Sequence, residues 1–247
     1  MYRILKRKYF FLLACMAIAG SINAQVRPGV KVGYNLSGVL AKLPDNVIKS
    51  PNVTGNPDNF HIRSGFQGGL IADCPISATL AIQPGARFAM QGFTEKYRRG
   101  APSGPEVIRR FSLYYLQVPV YAQYRWNVYE ETNVLFQAGP YAGFGLFGRQ
   151  SYSSGGETPK GFSDKHKKID FKEDFNNIFD YGVSAGIGIE FIRFQLVAAY
   201  DFGLNQATFY KKEAYSGNMN VNMRNHNFSI TLAVIFGRRD PLQNQKD

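Results

Sequence analysis

The chain has 247 residues, with 29 Lys and Arg against 18 Asp and Glu, and 45% of its residues are hydrophobic. Aromatics are abundant, charges are sparse, and Gly with Pro is too thin for a low-complexity chain, which excludes disorder and a coiled coil. The length fits one all-β barrel as a single unit.

In chain order, the first element is a leader. Arg3, Lys6, Arg7 and Lys8 precede an apolar run from Tyr9 to Ala19, and small residues continue up to Ala24. This is the layout of a secretory signal peptide, with a core too short to span a bilayer as a helix. Cleavage is expected after Ala24, with Ala17-Ile18-Ala19 as an earlier alternative. Leu12-Leu13-Ala14-Cys15 has the outline of a lipoprotein box but would cut the apolar run to about five residues. Removing Met1–Ala24 lowers the net charge from +11 to +7 and leaves Cys74 as the one cysteine. An intramolecular disulfide and a cysteine zinc site are thereby excluded. No apolar stretch reaches the 18 residues of a membrane helix.

Beyond the leader the chain carries eight runs of period two. Val30, Val32, Tyr34 and Leu36 alternate with Lys31, Gly33 and Asn35. Phe66, Gly68, Leu70, Ala72 and Cys74 alternate with Gln67, Gly69, Ile71 and Asp73. The third run sets Leu80, Ile82, Pro84, Ala86, Phe88 and Met90 apart from Gln83, Arg87 and Gln91. The fourth carries Leu116, Val118, Val120, Ala122, Tyr124 and Trp126 on its apolar side. The fifth carries Val134, Phe136, Ala138, Pro140, Ala142, Phe144 and Leu146. The last three present Tyr181–Phe191, Phe194–Leu204 and Phe228–Phe236 in the same rhythm.

The two faces decide between kinds of barrel. In the six stronger runs the apolar face has no charge, amide or hydroxyl other than tyrosine. The other face is mostly Gly, Ala, Gln and Ser, with four charges, Arg87, Arg125, Glu190 and Asp201. A soluble barrel would expose many more charges, whereas apolar-outside and polar-inside is the membrane pattern. The connections alternate short (Pro75–Ala78, Asn127–Thr132, Ile192-Arg193) with long (roughly Ser37–His61, Gly92–Phe111, Gly148–Phe179, Asn205–Asn225). Short periplasmic turns and long extracellular loops are expected of an outer-membrane barrel. Tyr124, Trp126, Phe191, Phe194 and Phe236 then fall at the periplasmic ends as an aromatic girdle. The expectation is an all-β, eight-stranded antiparallel up-and-down transmembrane barrel over residues 25–236, with a C-terminal tail over 237–247. The stretch Ser37–His61 has room for another hairpin. Pro84, Pro119 and Pro140 fall inside strands, where each removes a ladder donor, and local bulges are expected there.

The segments "LAIQPGARFAMQGF", "YYLQVPVYAQYRW", "FQAGPYAGF", "FDYGVSAGIGIEF", "FQLVAAYDFGLN" and "FSITLAVIF" resemble the outer-membrane β-barrel family of Bacteroidota labelled PorT-like or "porin family". The resemblance covers nearly the whole chain after the leader, and order and spacing carry it. Phe88-Ala89 stands where family members commonly have a Tyr-Ser pair, and the tail runs on past Phe236. The resemblance implies a barrel fold and little chemistry; its best-known member assists protein secretion across the outer membrane.

Arg87, Arg125, Glu190 and Asp201 are expected as a paired polar network in a lumen that eight strands just enclose. That argues against a general diffusion pore; a small-solute or ion channel is the alternative. Catalysis needs converging groups, and His61, His166 and His226 all lie in or beside loops. His226 and Ser229 are three apart and so on opposite strand faces, which disfavours a lipid A-modifying or proteolytic enzyme. Asp170, Glu173, Asp174, Asn176 and Asn177 match no calcium loop, and Phe171 and Phe175 suggest a short helix there. No cofactor is expected. Arg98, Arg99, Arg109 and Arg110 should give the second long loop a basic face, and Lys160, Lys165, Lys167, Lys168 and Lys172 enrich the third, where acids nearly cancel them. The partners this implies are outer-membrane lipid and lipopolysaccharide phosphates, with other envelope proteins possible and nucleic acid excluded by export.

Overall fold

The computed structural model describes residues 26–42, 60–98, 106–154, 166–169, 171, 178–205, 207–209 and 221–237. The expected leader 1–24, residues 43–59 of the stretch with room for another hairpin, the acidic cluster around Asp174 and the tail beyond Gly237 lie outside them. Ten strands run along the chain: β1 Arg27–Lys42, β2 Phe60–Pro75, β3 Leu80–Arg98, β4 Glu106–Tyr129, β5 Thr132–Ser154, β6 His166–Ile169, β7 Phe179–Phe191, β8 Phe194–Gly203, β9 Ala207–Phe209 and β10 Val221–Ile235. Each long strand pairs antiparallel with its neighbour, and β1 also pairs β10 from Gly29↔Ile235 to Lys42↔Asn222. The ring β1-β2-β3-β4-β5-β7-β8-β10 is therefore closed by eight strands, with β6 riding on β5 and β9 on β10.

The alternation sets the faces. On β4, Leu116, Val118, Val120, Tyr124 and Trp126 point outward and are exposed, while Gln117, Tyr121, Gln123 and Arg125 point inward and are buried. Closure hides the polar side chains and leaves an apolar exterior, the reverse of a water-soluble barrel. Tyr124, Trp126, Phe191, Phe194 and Phe236 all stand exposed on that exterior, at the end where the short turns and both ends of the ring gather.

The strands run further than the sequence suggests. β4 has 24 residues and β5 has 23, whereas about 9–11 cross a bilayer. At about 3.4 Å per residue, β4 reaches roughly 80 Å along its own axis, so its first half stands clear of the apolar band. Much of what reads as the second and third long loops is this wall, because there the outward face turns polar and the membrane alternation ceases.

The prolines also differ from expectation. Pro84 pairs with Val120, Pro119 with Tyr141 and Pro140 with Val183, so the three lie in one row across β3, β4 and β5. The ladder skips residues beside them, yet its register is the same on either side: Pro84↔Val120 resumes at Arg87↔Gln117, and Pro119↔Tyr141 resumes at Ala122↔Ala138. No bulge forms at the prolines. Beside the row, a Cβ on Gly139 would lie 1.9 Å from the Val120 carbonyl oxygen, so that position requires glycine. The register shifts fall elsewhere, between Ile62 and Gln67, at Tyr114/Tyr115 and at Asn127/Tyr129.

Candidate functional site: a filled lumen beneath a basic outer wall

The lumen is packed in layers. At the short-turn end Asp73 of β2 sits between two arginines. Its Oδ1 accepts from Arg125 Nη2 at 2.6 Å, and its Oδ2 accepts from Arg27 Nε at 3.1 Å and from Arg27 Nη2. Glu190 Oε2 accepts from Arg125 Nε at 3.1 Å and from Gln195 Nε2 at 2.7 Å, while its Oε1 takes a hydrogen bond from Asn133 at 3.2 Å. Gln83 donates to Gln195 at 3.2 Å and accepts from Lys31 Nζ at 3.1 Å. The chain of contacts thus runs from Arg27 through β2, β4, β7, β8 and β3 back to Lys31 on β1. Each of these charges is stabilised by a partner, as burial requires.

A second layer sits higher. Arg87 Nη2 donates to Asp201 Oδ2 at 2.6 Å, its Nε donates to Gln117 at 2.8 Å, and Asn227 donates to Asp201 at 3.1 Å. The four charges singled out in the sequence therefore form two separate pairs, Arg87–Asp201 and Arg125–Glu190. Arg27, Asp73 and Lys31 complete these layers, and Gln67, with neither amide atom hydrogen-bonded among the described residues, lines the cavity between them. Asp73 and Lys31 were legible as polar residues of the first two runs, but single charges in weak runs gave no reason to choose them.

Above the polar layers the lumen turns apolar. Val39, Phe93, Phe111, Leu113, Tyr115, Ile169, Phe171 and Met223 form one buried cluster. Phe93 and Phe111 stack with centroids 4.5 Å apart, and Phe171 meets Tyr115 edge-on at 5.4 Å. Phe171 also fills the space over Gly145, where a Cβ would come within 2.4 Å of its ring. Arg109 lies above this cluster. It is not on a loop, as the sequence suggested. It points into the lumen from β4, 1% exposed, and pairs with Glu95 at 3.5 Å. Strand alternation explains the correction, since Arg109 and Arg110 are adjacent and must face opposite sides. Arg110 is exposed on the outer face, Arg98 closes β3, and Arg99 lies outside the described residues.

Among the described residues, His226 and Ser229 do not converge. His226 lies on the outer face with its ring 6.2 Å from Tyr200, whereas Ser229 is buried in the lumen. His61 is exposed, and His166 begins β6. Among the described residues, no three His, Cys, Asp or Glu side chains are grouped to hold a metal ion.

Among solved structures, the chain is similar to Ail, the attachment invasion locus protein of Yersinia pestis (13% identity over 86% of this chain and 99% of that one, TM-score 0.36). It is similar also to OprG from Pseudomonas aeruginosa (12% identity, 86% and 97%, TM-score 0.38) and to Neisserial surface protein A (17% identity, 84% and 97%, TM-score 0.32). Among curated proteins, none matches. The family model described as "Outer membrane protein beta-barrel domain" matches residues 20–208, well over half the sequence. With that match and a closed ring whose exterior is apolar, the chain belongs to the outer membrane protein β-barrel domain family.

Proposed function

We propose that this barrel is a non-enzymatic component of the outer membrane that works through its extended outer wall, as an interaction or scaffolding protein, and not as a diffusion channel. The observation that carries the reading is the state of the lumen. Ion-paired layers occupy its lower half, and the cluster around Phe93, Phe111 and Phe171 fills its upper half. An eight-stranded ring has room for little more than its own side chains, and here those side chains are bonded to one another across the lumen. A solute would have to break buried ion pairs to pass. The resemblance to the PorT-like barrels of Bacteroidota favours, as a finer form, assistance to protein secretion, with other envelope proteins as partners.

Single-channel recording in planar bilayers tests the choice between the two readings. The scaffold reading expects a silent barrel, and discrete, reproducible conductance steps would replace it with the channel. Co-purification from outer membranes in mild detergent, with heated and unheated gel lanes, tests the rest. A heat-shifted band with stoichiometric partners is expected, and a heat-shifted band alone would remove the scaffold role.

A further inference from the structure

One sector of the outer face is basic immediately above the apolar band. On β3, β4 and β5 that band ends in an outward row of rings. Tyr114 stacks between Phe88 at 5.7 Å and Phe147 at 4.6 Å, with interplanar angles of 24° and 25°. At this level a β-bulge reverses the facing of β5. Tyr114 pairs with Phe147 but Tyr115 pairs with Gly145, so Leu146 is an extra residue on β5. Below it the even positions of β5 face outward; above it the odd positions do. The bulge thereby turns Gln150 into the lumen and Arg149 onto the outer face.

Arg149 arrives beside other cations. Directly opposite it on β6 is Lys168, and both are exposed. Directly opposed like charges destabilise a strand pair unless something neutralises them. Arg110 and Lys96 are exposed on the adjoining strands, where Arg110 pairs with Ser151 and Thr94, and Lys96 with Ile108. Arg63 joins them from β2, and its Nη1 has no hydrogen-bond partner among the described residues. Lys96, Arg110, Arg149 and Lys168 make no ion pair with any other described residue. Among the described residues, the acid of this face is Glu106, at the far end of β4 and opposite Arg98. The neighbouring acid Glu95 is turned inward to Arg109.

We propose that Arg63, Lys96, Arg110, Arg149 and Lys168 bind the phosphate groups of an anionic glycolipid in the leaflet around the barrel. The acyl chains would lie on the apolar wall below, and the Phe88–Tyr114–Phe147 row would sit at the level of the headgroup. Guanidinium groups suit this role because they donate in a planar fork that matches phosphate oxygens. A soluble anionic partner would engage the cations as well, but it would gain nothing from their position at the edge of the apolar band. The proposal rests on the transmembrane reading.

Native mass spectrometry of the full chain in detergent tests it with three probes: bis-phosphorylated lipid A, the same lipid with its phosphates removed, and inorganic phosphate. The expected result is retention of the phosphorylated lipid only. Arg110→Gln with Arg149→Gln should weaken that retention by about thirty-fold, the effect of two basic residues at an anionic surface, while heat-shifted migration stays unchanged. Equal retention of the two lipids would overturn the proposal. So would competition by inorganic phosphate at the same concentration as lipid, or retention that survives the double substitution. A chain with no heat-shifted migration at all would sink the transmembrane reading, and this site with it.

Discussion

Asp73 shows how much rests on single side chains in this lumen. It is fully buried and holds two arginines, Arg27 and Arg125; Arg125 keeps Glu190 at 3.1 Å, whereas Arg27 pairs with no other described carboxylate. Removing one partner of a buried ion pair leaves an uncompensated charge and costs about 3–5 kcal/mol. Asp73→Ala should therefore lose about that much in reversible urea unfolding from lipid vesicles. A loss within 0.5 kcal/mol, roughly the range of ordinary surface substitutions, would show that water replaces the carboxylate. At this scale the sequence was informative in part. Arg87, Arg125, Glu190 and Asp201 stood out because nothing else on their faces was charged. Their pairing did not, because partners such as Arg87 and Asp201 come from strands far apart in the chain. Arg109 was misplaced because a run of basic residues beside a loop looks alike whether it faces water or the lumen.

Among the elements, the turn between β7 and β8 is as tight as that between β4 and β5, with Phe191 paired directly to Phe194 and Tyr129 to Thr132. Ile192 within the β7–β8 turn has φ of 55°, a left-handed conformation that a β-branched side chain rarely adopts. Such strain costs about 1–3 kcal/mol, and asparagine tolerates this region far better. Ile192→Asn should raise stability by roughly 1 kcal/mol in the same unfolding assay, and a destabilised variant would refute the assigned turn. On the strand that enters this turn, Ile187 faces outward between Ala185 and Ile189 and is half exposed. An arginine there would lie in the apolar band at a cost of about 2–4 kcal/mol, against about 0–1 near an interface. Ile187→Arg should therefore impair insertion into vesicles far more than the same change at Ser151, which faces outward on the high wall of β5. Equal effects at the two sites would mean that the band has been drawn at the wrong height. The existence and facing of these strands were readable because period two is set by the pleat itself. Their upper limits were not, since above the membrane the outward face becomes polar and the pattern fades into that of a loop.

For the whole molecule, the wall is uneven: β3, β4 and β5 have 19, 24 and 23 residues, whereas β7 and β8 have 13 and 10. The high side carries both the basic face and the strand β6 that brings Ile169 into the apolar cluster. The barrel should accordingly migrate as a compact, heat-modifiable species and remain closed to ions in a bilayer. Conductance that appears only when Phe93→Ala and Phe111→Ala are combined would locate the seal in the apolar cluster; silence in that variant would assign it to the ion pairs below. The sequence by itself determined that the chain forms a closed antiparallel barrel with an apolar exterior, because residues two apart must share a face and the faces differ so sharply in polarity. It also determined the aromatic ends and the short turns, which are local properties. Only the tertiary structure decided which charges meet across the lumen, that the proline row keeps its register, and that one inserted residue at Leu146 swings Arg149 outward. Each of those depends on the alignment of strands distant in the chain, and a repeat of two carries no information about which neighbour a strand will find.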